Sequence, residues 1–91
     1  KVSGITAYIV ELLKSKNDEV RSNACWAVTC CSYDQSIAID FCRNGAIETL
    51  RDINQSSQRQ SSFTDTALKK LLEANLSAKY AFVNYIGRRW L

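Results

Sequence analysis

Apolar residues in this chain recur at spacings of three and four, and short polar clusters interrupt them. Ile5, Ile9, Leu12 and Leu13 fall on one face of a helix over 5–15, which the polar run Ser15-Lys16-Asn17 ends. Asn17 is placed to cap a second helix, about 18–32, with Asp18 and Glu19 in its first turn, where the helix dipole favours negative charge. Val20, Ala24, Ala27, Val28 and Cys31 form its apolar stripe, and Trp26 and Cys30 lie four apart on a neighbouring face. Tyr33-Asp34 predicts a turn with Asp34 as a cap, then a short helix over about 35–43 that pairs Ile37 with Phe41 and Ala38 with Cys42. Asn44-Gly45 is a strong stop, because glycine accepts the left-handed conformation that ends a helix. Ala46, Ile47, Leu50 and Ile53 define a helix over 46–54, and the polar run 55–62 is a surface loop. Ser62-Phe63-Thr64-Asp65 resembles a capping box. It opens a last helix striped by Phe63, Ala67, Leu68, Leu71 and Leu72, which breaks near Asn75-Leu76-Ser77 or runs on to about 84. No segment alternates as a strand does, so the chain is all-α.

The pattern repeats. The segment from Gly4 to Leu12 returns from Gly45 to Ile53, an offset of 41 residues. A helical repeat of this length points to an α-solenoid, whose units stack and present a surface.

Composition narrows the partners. The net charge is +3, and residues 1–78 hold nine basic and nine acidic side chains, so Lys79, Arg88 and Arg89 supply the whole excess. That is too little for nucleic-acid binding by residues 1–78. The basic and aromatic end, with Tyr80, Phe82, Tyr85 and Trp90, is a frayed tail, a contact for nucleic acid, acidic lipid or an acidic partner, or a cover for the last repeat. No run approaches the roughly 18–20 apolar residues of a membrane span. With no histidine and no C-x-x-C, a zinc site is not expected, and neither is any other cofactor. Cys25, Cys31 and Cys42 read as small buried hydrophobes of a reducing compartment. No neighbour in sequence lowers the pKa of Cys30-Cys31. Asp65, Lys69 and Glu73 read as a solvated face with Lys69 paired to Glu73, and no catalytic residue is assigned.

The order Gly4–Leu13, then Asn17-Asp18-Glu19-Val20, then Ala24-Cys25-Trp26-Ala27-Val28, then a short helix ending at Asn44-Gly45, resembles the armadillo repeat. That resemblance covers 4–74 and implies three-helix units stacked in a right-handed superhelix. Residues 1–34 would supply the middle and long helices of one repeat, 35–75 a complete second repeat, and 76–91 a cap or tail. Two departures stand out. Ala7 and Glu48 occupy positions where the family often has proline, and the family's Trp-and-Asn ladder keeps only Trp26. Cys30 stands at the Asn position, and Lys69 and Glu73 occupy the two ladder positions of the second repeat, which argues against gripping a nuclear-localisation peptide. The segments Phe41–Ala46 and Leu71–Tyr80 resemble, more narrowly, the array end of one intracellular branch associated with sperm and motile cilia, which implies a cytoplasmic, ciliary or flagellar location.

Helical spacing and the resemblance together imply a non-catalytic module that binds a protein or peptide through the concave face of its long helices. The residues expected to carry binding are Asn23, Trp26, Cys30 and Tyr33, with Thr66, Lys69 and Glu73. Trp26 would anchor the partner, Asn23 would hydrogen-bond its backbone, and Lys69 and Glu73 would select charge. The alternative is architectural: a structural cap ending a longer array, with partners bound elsewhere. Decay of the second copy suits a terminal repeat, and a repeat cut at its edge exposes apolar surface that favours self-association.

Overall fold

The computed structural model describes the backbone of residues 2–90 and the side chains of residues 4–76. Five helices follow one another: α1 (Val2–Leu13), α2 (Asp18–Cys31), α3 (Gln35–Arg43), α4 (Ala46–Asn54) and α5 (Ser62–Trp90). Among the described residues there is no strand.

Local chemistry sets the helix starts. The Asn17 side chain accepts from the backbone N–H of Glu19 at 2.9 Å and of Val20 at 3.1 Å, which fixes the start of α2. Asp34 does the same for α3. Its carboxylate accepts from the Ser36 hydroxyl at 2.7 Å and from the amides of Ser36 at 3.0 Å and Ile37 at 3.3 Å. These bonds, the Ser36 hydroxyl first, hold the Asp34 pKa below its ordinary value. A lowered folded pKa means that the carboxylate stabilises the fold above the unfolded pKa, and that this stability is lost as pH falls through the folded value. The acid limb of a denaturation-midpoint profile is therefore expected to flatten in Asp34→Asn, which keeps an acceptor but cannot titrate. An acid limb identical to wild type would contradict it.

The stop between α3 and α4 is conformational. Gly45 sits at φ 82°, in the left-handed region. A Cβ there would meet only Glu48 Oε1, at 3.9 Å, so a side chain meets strain rather than a clash. Gly45→Ala is expected to destabilise by about 1–2 kcal/mol in urea titration; a neutral result would contradict the assigned geometry.

The start of α5 differs from expectation by one residue. The reciprocal cap runs between Ser61 and Thr64: the Ser61 amide donates to Thr64 Oγ1 at 3.0 Å, and the Thr64 amide donates to Ser61 Oγ at 3.4 Å. Thr64 thus takes the place usually held by Glu, and its buried hydroxyl is also 2.7 Å from Asn54 Oδ1, tying α5 to the end of α4. At its other end α5 passes through Asn75-Leu76-Ser77 and continues to Trp90. Neither Asn nor Ser removes a backbone donor as proline does, and nothing in that triplet forces a positive φ. The cap-or-tail role expected of 76–91 falls almost wholly on side chains outside the described set.

The core lies where α5 crosses α2, α3 and α4, with α1 closing over α2 and α3. Leu13, Val28, Phe41, Leu50, Ile53 and Leu71 are among its fully buried members. All four residues expected to face inward from α4 do so. On α1 the packed face is Thr6, Val10 and Leu13, so Ile5, expected in the stripe, is 61% exposed. Phe63 and Leu72 of α5 are also exposed, and Ala67 and Leu71 carry that stripe. Buried polar groups explain the rotation of α1. Thr6 donates to the Asp40 carboxylate, and Asn44 Nδ2 donates to Thr6 Oγ1 at 3.2 Å and to the Asp40 carbonyl at 2.8 Å. Thr6 is buried because α3 offers it partners, which turns Ile5 outward.

Candidate functional site

The seven residues expected to bind a partner are all exposed. Asn23, Trp26 and Cys30, spaced three and four apart, share one face of α2, with Tyr33 just past its end. Thr66, Lys69 and Glu73 are spaced the same way on α5, the helix packed against α2. Trp26 is 61% exposed and Tyr33 is 75% exposed, so packing against the neighbouring long helix does not account for Trp26. The inner faces of the two helices bury Ala24, Cys25 and Val28 on one side and Ala67 and Leu71 on the other.

The structure gathers two of the seven into one groove. Tyr33 and Glu73, with Ser32, Gln35, Lys70 and Ala74, line a shallow cleft of about 320 Å³ where the end of α2 meets α5. The Lys70 ammonium lies 4.2 Å from the centre of the Tyr33 ring, a cation–π distance, and the Gln35 side-chain amide donates to the Ala74 carbonyl at 3.4 Å. Asn23, Trp26, Cys30, Thr66 and Lys69 stand outside this cleft.

The expected pairing of Lys69 with Glu73 is replaced. Lys69 Nζ instead meets Asp65 Oδ2 at 3.2 Å, one turn earlier. Acid before base at i,i+4 is the better helical orientation, and Asp65 also sits in the first turn of α5. Both side chains are well exposed, so the pair is worth only a few tenths of a kcal/mol. None of the ion pairs among the described residues includes Glu73, which leaves its carboxylate available beside Tyr33.

Lys70 and Gln35 were not singled out by the sequence. Lys70 is one of two adjacent lysines, and only the register of α5 on α2 decides which of them reaches Tyr33. The thiols divide by burial. Cys25 is fully buried, and burial pushes its pKa up to about 11, so it stays protonated; Cys30 is exposed. Among the described residues no group of three metal-ligating side chains is placed to hold an ion, and no helix is long and apolar enough to cross a membrane.

No solved structure matches the chain. Residues 2–29 match a family model described as Armadillo/beta-catenin-like repeat. That stretch holds α1, the Asn17 cap and all but the end of α2, with Trp26 inside it. Residues 2–29 are thus similar to an armadillo repeat, and the five helices form an all-α fold consistent with an armadillo-type fragment.

Proposed function

We propose that this chain is a non-catalytic protein-interaction module that takes an extended partner segment across the exposed face of α2 and α5. The observation that carries the reading is the exposure of Trp26, on the side of α2 turned away from its buried stripe, and of Tyr33 just past the helix end. Large aromatic side chains left in water cost solvation and supply disproportionate energy when a partner covers them. Asn23 offers the partner backbone a donor and an acceptor. Lys69 pairs with Asp65, and Glu73, in no ion pair among the described residues, carries the charge selectivity at the Tyr33 end.

Armadillo repeats generally mediate protein–protein interaction, which supports this class of function. On the same reading, residues 35–75 form a second repeat, and the chain works inside the cell. The likeness of Phe41–Ala46 and Leu71–Tyr80 to the array end of armadillo repeat-containing protein 3 supports a place in sperm or motile cilia.

The test uses a peptide selected from a display library against the folded chain. Tyr33→Ala and Glu73→Ala are each expected to weaken it, while Ile5→Ala, on exposed α1 surface, leaves affinity unchanged. Loss confined to Ile5→Ala would overturn the assignment.

A further inference from the structure

A separate recess of about 230 Å³ lies between the first turns of α2, the 55–61 connection and the start of α5. It takes no part in the α2–α5 face proposed above. Among its lining residues are two arginines, Arg21 and Arg59.

Arg21 is only 5% exposed, which is unusual for an arginine. Its Nη1 donates to the Ser15 carbonyl at 2.9 Å, and its Nη2 donates to the Asp18 carboxylate. A guanidinium has five N–H donors, so three remain after these two bonds. The Ser15 bond and its own burial hold the group in place before any ligand arrives, which lowers the entropy cost of using the remaining donors. Arg59 enters none of the ion pairs among the described residues, so its charge is uncompensated there. α5 begins at Ser62, beside Ser61 and Thr64 of the lining, and the positive end of its dipole adds to the same field. The one carboxylate in the lining is Asp18, whose side chain is 86% exposed and free to swing into water.

Two arginines, one fixed by its neighbours and one without an ion pair among the described residues, line the same polar recess. We propose that this recess binds a phosphoryl dianion, with Arg21 and Arg59 taking its oxygens and Asp18 yielding its place on Arg21. Fork-shaped guanidinium donors match the geometry of phosphate oxygens. The dianion is either free phosphate or the phosphorylated side chain of a partner.

The 91-residue chain is titrated at constant ionic strength with inorganic phosphate, with a short phosphoserine peptide and with the same peptide unphosphorylated. The readout is the backbone amide signals of Arg59, Ser61 and Thr64. Saturable shifts at these residues are expected with a phosphorylated ligand and not with the unphosphorylated peptide. Saturation by inorganic phosphate assigns the free ion, and saturation by the phosphopeptide alone assigns a phosphorylated partner. Arg59→Ala is expected to weaken binding about tenfold or more, the loss of one charge-assisted contact. Asp18→Asn, which removes the competing carboxylate, is expected to tighten it severalfold. Shifts that never saturate would overturn the proposal, as would affinity unchanged in Arg59→Ala or weakened in Asp18→Asn.

Discussion

Replacing Phe41 with alanine is expected to lower the unfolding free energy by about 3–5 kcal/mol, the range for deleting a buried aromatic ring. Phe41 has no exposed surface and sits on α3, which packs against both α1 and α5. The cavity left behind has little means of closing. On one side α3 is pinned to α1 by the Thr6, Asp40 and Asn44 hydrogen bonds, and on the other it lies against the long helix α5. A domain of this size has a total stability of only about 5–15 kcal/mol, so the variant is expected to unfold in mild urea or to lose cooperativity. A midpoint shift equivalent to less than about 1 kcal/mol would show that Phe41 is not at the centre of the core.

Trp26→Ala is expected to do the reverse: it leaves stability within about 0.5 kcal/mol and costs about 2–4 kcal/mol of partner affinity. The side chain is mostly in water, so folding does not depend on it. On binding, it offers the largest apolar area on its face of α2, between Asn23 and Cys30. Calorimetric titration with a selected ligand measures the effect, and a loss smaller than about threefold would contradict the anchor role. Because the substitution spares the fold, lost affinity and lost structure are separable by circular dichroism on the same sample.

Much of this architecture is written locally. The Asn17 and Asp34 caps, the Asn44-Gly45 stop and all four inward residues of α4 follow from side-chain chemistry within a few positions, and each was legible for that reason. Departures occur where tertiary partners override local pattern. Ile5 fits an apolar stripe by spacing, yet Thr6 is buried because Asp40 and Asn44, more than thirty residues away, satisfy it. Helical spacing together with the armadillo resemblance suggested the candidate binding face, and its exposure follows from which positions the buried stripes of α2 and α5 leave over. The cleft at Tyr33 was not legible, because it depends on how far α5 is slid along α2.

The most direct test of the binding face uses a thiol the chain already carries. Cys30 is exposed four residues beyond Trp26, whereas Cys25 is buried, with a pKa pushed up to about 11. In the free chain, iodoacetamide at neutral pH should alkylate Cys30 first and Cys25 last, as read by mass spectrometry of the digested protein. A saturating partner is expected to slow alkylation of Cys30 severalfold and leave the order of the other thiols unchanged. An unchanged Cys30 rate with the partner fully bound would place the interface elsewhere and contradict the account.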